Sequence, residues 1–332
     1  MISPEPKKTW HVDILVADGF VLTEVAGIVD AMRIANRVAA FPPFSWTYRS
    51  AFAGPVDSSS EVCVKAEAFA PKPHADYAFV IGNADPDCPA LSVGTQIDRY
   101  TFRGAQVFLL AEAASRYIKE RGTEGTRMST HWENSDILRE RSSLFDADNA
   151  IATEDGLVVT CAGMGATVDV MLAVLRRHIS SANLMTVANI LLHEKIRDFS
   201  TRQPLGGARS SGSGDRELDQ CLQIMQANIE DPVPISELVN VLNISSRSLE
   251  RKFRTHLNTT PNTYYRELRL ARANNLLLNT NMSVREVGLA CGFPSGFSGL
   301  YKGFFGITPF ALRKQRRQQA TKGTNLGKSD AR

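Results

Sequence analysis

The chain has 332 residues, 43% of them hydrophobic and 22% charged, with a formal net charge of +3, which suits two soluble globular domains because one core rarely organises more than ~250 residues. No apolar run approaches the ~20 residues that cross a bilayer, and Met1 to Trp10 lacks an apolar signal core, so membrane and secreted classes are set aside and the bacterial cytoplasm is expected. The five cysteines (Cys63, Cys88, Cys161, Cys221, Cys291) are odd in number and never spaced as CxxC, which argues against a disulfide framework and a zinc site; no metal or cofactor is expected.

The small net charge conceals an asymmetry. Residues 216–332 hold 17 Lys and Arg against 9 Asp and Glu, whereas residues 1–215 hold 21 against 26. A basic module behind a mildly acidic one points to nucleic-acid binding in the C-terminal part alone.

In chain order, strand-like apolar runs alternate with helical patterns: HVDILVADGF (11–20), EVAGIVDAMRIANRVAA (24–40), YAFVIGN (77–83), AQVFLLAEAA (105–114), and GLVVTCAGMG (156–165) leading into ATVDVMLAVLRRHI (166–179). Such alternation predicts parallel strands covered by helices on both faces. Residues 10–198 are therefore read as an α/β domain. Residues 199–215 contain STRQPLGGARSSGSG, which has the composition of a flexible linker.

From residue 216 onward the pattern is entirely helical. Leu218, Leu222, Met225 and Ile229 lie at helical spacing, stopped by Asp231-Pro232. An internal repeat follows at an offset of 49: PISELVNVLNIS (234–245) superimposes on SVREVGLACGFP (283–294), matching Ile235 with Val284, Glu237 with Glu286, Leu238 with Val287 and Ile244 with Phe293. Each copy reads as a short helix, a turn and a second helix. In such a unit the second helix enters the major groove, so it needs one apolar face and one basic or polar face. In SRSLERKFRTHL (246–257) Ser245 is a good N-cap, Leu249, Phe253 and Leu257 share the inner face, and Arg247, Arg251 and Arg254 form a row on the other side. Guanidinium groups so placed reach guanine edges or phosphates. TPNTYYRELRLARANNLLLNT (260–280) reads as one long helix whose Arg266, Arg269 and Arg272 are either backbone contacts or exposed charges.

These residues, together with FFGITPFALR (304–313), resemble the AraC/XylS family of regulators over residues 216–317. The resemblance implies two helix-turn-helix units joined by a rigid helix, with Arg247, Glu250 and Arg251 facing bases and Arg254 and Lys302 facing phosphates; Ser246, Ser295 and Ser298 complete the DNA-facing set. PSGFSGLYKGFFG departs from the family pattern by being shorter and carrying Gly296, Gly299 and Gly303. The first unit is therefore expected to supply most sequence discrimination and the second mainly backbone affinity, with Phe297, Tyr301 and Phe305 in the core. Residues 318–332 read as a disordered basic tail.

The N-terminal runs, with STHWEN (129–134) and TCAGMG (160–165), resemble the PfpI-like, class I glutamine-amidotransferase-like domain that GlxA-type regulators place ahead of an AraC-type module. This implies a flavodoxin-like sandwich with its site at the C-terminal ends of the strands. By the family spacing the elbow that carries a catalytic cysteine in the enzymes falls near Ala111, and alanine cannot attack a carbonyl. Cys161 is either a competing nucleophile or a small buried thiol. Glu24 corresponds to the superfamily's acidic residue, and Glu24, Ala111, Glu112, His131, Trp132 and Cys161 form the candidate ligand site, with Glu133 beside it; carboxylates and an indole suit a cation such as an amino acid or quaternary amine. The favoured reading is a non-catalytic, metabolite-responsive regulator that binds operator DNA as a homodimer, with RNA polymerase as a further partner. A Cys161-dependent hydrolase and a ligand-independent DNA binder remain as alternatives.

Overall fold

The computed structural model describes residues 8–85, 87–122, 128–134, 138, 149–203, 215–280 and 282–314. The chain divides into two compact units, residues 1–203 and 204–332.

The first unit is built on an eight-stranded sheet in the order β3-β4-β2-β1-β5-β6-β8-β7. Strands β1 (Trp10–Leu15), β2 (Phe44–Ser50), β5 (Tyr77–Val80), β6 (Gln106–Leu110) and β8 (Val158–Cys161) run parallel, and β4 (Cys63–Ala68) joins them beside β2. The edge strands β3 (Gly54–Asp57) and β7 (Ala152–Asp155) are antiparallel to their neighbours, so the sheet is mixed. Alternation along the central strands splits the interior in two. Phe79 and Phe108 stack on one face with Ile14, Met32 and Met171, whereas Ala78, Val80, Val107 and Leu109 face Ile97 and Tyr100 on the other. Helices α1 (Leu22–Val38), α4 (Ala166–Arg176) and α5 (Ser181–Ile190) contribute to the first of these cores, and α2 (Gly94–Phe102) and α3 (Ala111–Arg121) to the second.

The strand order reverses between β1 and β5, and ligand sites of such sheets lie outside the carboxyl ends of strands at this point. The loops that leave β1, β5, β6 and β8 converge there.

The linker boundary needs correction at its N-terminal side. Phe199–Gln203 lie along residues 149–152: Ala152 N–H donates to Phe199 O, Ile151 N–H to Thr201 O and Gln203 N–H to Asn149 O. These residues show no apolar periodicity because backbone hydrogen bonds hold them, together with the packing of Phe199 and the buried, hydrogen-bonded amide of Gln203. The rest of the expected linker (204–214) and the expected tail (318–332) fall outside the described residues.

The described part of the second unit is helical: α6 (Arg216–Ala227), α7 (Ile235–Val241), α8 (Ser246–Leu257), α9 (Pro261–Asn279), α10 (Val284–Ala290) and α11 (Phe297–Phe305), with further helical residues at 309–314. The repeat is exact in the backbone, since α7 and α10 begin and end 49 residues apart. So are the turn residues, Asn243 (φ +52°) and Gly292 (φ +69°). Each turn needs one residue in the left-handed region, which asparagine and glycine enter most readily. Two cores result. Leu218, Leu222, Met225, Leu238, Leu249, Phe253 and Tyr265 pack in one, and Leu270, Leu276, Leu277, Val287, Phe293, Phe297 and Tyr301 in the other. Helix α9 contributes to both, its first half to the first core and its second half to the second.

Candidate functional site: a basic helix face and a carboxyl-lined elbow

Helix α8 begins at Ser245, whose hydroxyl accepts from Ser248 N–H at 3.2 Å, and ends at Asn258 in the left-handed region. Leu249 and Phe253 are fully buried. On the opposite side Ser246, Arg247, Glu250, Arg251 and Arg254 are exposed, and Arg247, Glu250, Arg251 and Arg254 line one recess with Ser245, Ser248 and Thr255. The helix thus presents three guanidinium groups and one carboxylate as a contiguous polar face on a buried apolar base. Lys252 points elsewhere. It forms an ion pair with Asp215, the N-cap of α6, and another with Glu217 at 3.3 Å, so its charge braces α8 against α6.

In the second unit Ser295, Ser298 and Lys302 are exposed, while Phe297 and Tyr301 are buried and Phe305 packs against the same core. Gly299 and Gly303 have open space where a side chain would stand. Of the arginines of α9, Arg266 is exposed, but Arg269 is neither exposed nor placed for a phosphate. Its guanidinium donates to Cys291 O at 2.9 Å and to Gly292 O, and lies 4.1 Å above the Phe293 ring. It caps the carbonyl end of α10 and sets the second unit on the connecting helix, which corrects the expectation for that residue.

In the first unit Ala111 stands at the sharp passage from β6 to α3 with φ +41°, the geometry of a strand-to-helix elbow. Two glycines let neighbouring loops close on it. A Cβ on Gly82 would lie 2.6 Å from Glu112 Oε2 and 3.2 Å from Glu24 Oε2, and one on Gly163 would lie 2.1 Å from Glu24 Oε1 and 2.7 Å from the Ala111 Cβ. Glu24 accepts from Gly82 N–H at 2.8 Å and from Met164 N–H at 3.0 Å. Burial pushes its carboxyl up to about 7, against the two N–H donors and with a smaller push from Glu112. Burial likewise raises Glu112, against backbone hydrogen bonds at Glu112 and Asn83 and the Asn134 amide, whose Nδ2 donates to Oε1 at 3.2 Å.

The THW segment closes the elbow. Thr130 Oγ1 donates to Ala111 O at 2.9 Å and shares a 2.6 Å hydrogen bond with Ser115 Oγ. His131 and Trp132 are half-buried, their rings 5.6 Å apart, with Glu133 Oε2 3.6 Å from His131 Nδ1. Burial lowers the His131 pKa below its ordinary value, partly countered by Glu133. The buried amide of Gln203 ties this segment down: Nε2 donates to Thr130 O at 2.7 Å and Ala150 O at 2.9 Å, and Oε1 accepts from Trp132 N–H at 2.9 Å.

The expected ligand residues therefore fall in two layers. Glu112, His131 and Trp132 are partly open. Glu24 and Cys161 are fully buried and Ala111 nearly so, which corrects the expectation that all six touch a ligand: these three form the floor beneath the site. The Cys161 thiol is pushed well above its ordinary value by burial and then by the Glu24 carboxyl, and its Sγ lies against Val159 O at 3.8 Å. A thiolate needs access and positive potential, and Cys161 has neither. Gly82, Asn134, Thr130 and Gln203 were not singled out from the sequence. VIGN and THWEN contained three of them, but nothing in the sequence pairs Gln203 with residues seventy positions away.

An α/β sheet domain followed by an all-α domain with two helix-turn-helix units defines a DNA-binding transcription regulator. Residues 238–315 match the family model described as a helix-turn-helix domain. The chain is similar to the HTH-type transcriptional regulator ArgR of Pseudomonas aeruginosa, 34% identical over 72% of this chain and 73% of the relative, and to CdhR of the same organism, 31% over 89% of each. GlxA of Rhizobium meliloti is 25% identical over 94% of this chain and 98% of that one. The chain belongs to the AraC/XylS-type helix-turn-helix transcriptional regulators.

Proposed function

We propose that this regulator senses a small metabolite through a non-catalytic N-terminal domain and reads its operator mainly through α8, binding as a homodimer. The observation that carries the DNA assignment is the contiguous exposed face of Arg247, Glu250, Arg251 and Arg254 over the buried Leu249 and Phe253. In this reading Arg247 and Arg251 make the bidentate contact of arginine with guanine, and Glu250 accepts from a cytosine amino group. Ser246 joins them, while Arg254 and Lys302 neutralise phosphates. Ser295 and Ser298 offer only short hydroxyls, and Gly299 offers no side chain, so the second unit contributes backbone affinity more than base discrimination. Two copies reading two half-sites multiply a modest single-module affinity, and RNA polymerase is the partner through which occupancy alters transcription.

The sensing site is the half-open layer of Glu112, His131 and Trp132 above the floor of Glu24, Ala111 and Cys161. Its carboxylate and indole suit a cationic metabolite, an amino acid or a quaternary amine. Ala111 at the elbow and the protonated, buried Cys161 favour binding without turnover.

The test is selection of preferred sequences from a random duplex pool with the full chain and with Arg251→Ala. A recovered motif in which Arg251→Ala relaxes one position, at a cost of ~1–3 kcal/mol or roughly 10- to 100-fold, supports readout through α8. An unchanged motif assigns specificity elsewhere. Thermal shift of the full chain with a panel of amino acids and betaines, repeated with Glu112→Gln, tests the sensing site. Stabilisation by a panel member that Glu112→Gln abolishes supports it, and one that Glu112→Gln leaves intact places the ligand elsewhere.

A further inference from the structure

Residues 179–192, ISSANLMTVANILL, contain no Asp, Glu, Lys or Arg in a chain that is 22% charged. Most of this stretch is α5. Its inner side packs Leu184, Val187 and Ala188 into the sheet core. A surface helix ordinarily sets charged residues opposite such a stripe, yet the outer side of α5 presents Met185, 53% exposed, and Ile190, 42% exposed, among the exposed Ala182, Thr186 and Asn189. Just beyond the helix Leu192 is 87% exposed and stands at φ +54°. A leucine is disfavoured there relative to glycine or asparagine, and this one is held with its whole side chain in water.

We propose that the outer face of α5, with Leu192, is the surface through which two copies of this chain pair about a two-fold axis. The proposal rests on the dimeric reading above and locates the interface. A second copy fits this face better than a different protein does because of its charge pattern. Near a two-fold axis each residue meets residues of its own patch, so any net charge on the patch meets the same charge and must be compensated. A helix face that carries no ionised group of its own needs no such compensation, and the unbranched Met185 adapts to its own copy. A dissimilar partner gains orientation and specificity from complementary charge, and this face offers none. It lies on a helix whose inner side is part of the main core, so the interface is rigidly joined to the sheet.

The experiment is light scattering with sedimentation equilibrium on the full chain, wild type and two double variants, Met185→Glu/Leu192→Glu and Met185→Lys/Leu192→Lys, alone and mixed in equal amounts. Circular dichroism melts of each variant establish that they fold. The expected result is a wild-type dimer at micromolar concentration, both variants shifted at least tenfold toward monomer with unchanged melts, and dimers restored in the mixture, where opposite charges meet. A wild type that stays monomeric, alone and on its selected duplex, overturns the dimeric reading and this surface with it. A wild-type dimer whose variants remain dimeric overturns the surface alone. Folded monomeric variants that the mixture fails to restore overturn direct pairing through this face.

Discussion

At Glu24 two backbone N–H groups donate to a carboxyl group with no exposure to water. The donors favour the ion and the burial disfavours it; burial wins, and the pKa rises from 4.5 to about 7. The sign for stability follows. Below pH 4.5 the group is protonated in the folded and unfolded chain alike and its contribution is fully present. Between about 4.5 and 7 the unfolded chain ionises first, so stability falls as pH rises, and above about 7 the loss is complete at about 3 kcal/mol. Glu24→Gln is expected to flatten this slope: the wild-type N-terminal transition melts lower at pH 8 than at pH 5, and the variant shows a smaller difference. An equal slope in both places the titration elsewhere. A second test concerns thiols. In the native chain Cys161, Cys221 and Cys291 are buried and Cys63 is exposed, so a maleimide at neutral pH should label Cys63 and spare these three until denaturant is added. Rapid labelling of Cys161 would restore the enzymatic alternative. At this scale sequence reading located the elbow at Ala111 through a motif count and offered Cys161 as a small buried thiol, but not that Glu24 lies beneath the site, because depth is set by which loops close over a residue. Gly82 and Gly163 make that closure possible.

Helices were more legible than strands. The boundaries of α8 and α9 agree with the periodicity because each carries its own cap and a clean apolar stripe. Strands β2, β3, β4 and β7 were not anticipated, nor were helices α2 and α5; the burial of these strands is partial and irregular, and their pairing supplies what side-chain alternation does not. The turn at Gly292 shows how closely the two helix-turn-helix units are joined. A Cβ there would fall 2.7 Å from Pro232 and 2.8 Å from Ile229 O, in a backbone conformation already unfavourable to alanine. Gly292→Ala is expected to destabilise the C-terminal unit by ~1–3 kcal/mol, measured by urea denaturation, and to weaken DNA binding by disturbing the spacing of α8 and α11. Gly299 and Gly303 face open space, so alanine at either should stabilise α11 by ~1 kcal/mol. If either substitution weakens DNA binding while raising stability, the glycine serves close approach of the duplex. Unchanged binding leaves it a tolerated departure from the family pattern.

Across the whole molecule, the separation of charge anticipated which half binds nucleic acid, and the repeat anticipated how. The basic half carries 17 cationic side chains, but Lys252 is paired with Asp215 and Glu217, and Arg269 with backbone carbonyls. The salt dependence of DNA binding should therefore report fewer ions than composition suggests: Lys252→Met should leave the slope of log K against log salt unchanged, whereas Arg254→Ala should reduce it by about one. A matching loss in Lys252→Met would mean that the brace opens on DNA. Sequence reading placed the boundary between the halves a few residues early, and those residues matter. Gln203, the last residue of the first unit, holds Thr130 and Trp132 with its side chain, so the THW segment and the end of the first unit are a single hydrogen-bonded piece. Under the proposed sensing role, a metabolite that shifts Trp132 would also shift Gln203. Gln203→Ala should raise amide exchange at residues 130–132 and, under the proposed sensing role, erase any effect of a metabolite on operator affinity while the affinity measured without metabolite stays as it was; an effect that survives the substitution would show that these hydrogen bonds do not carry the signal.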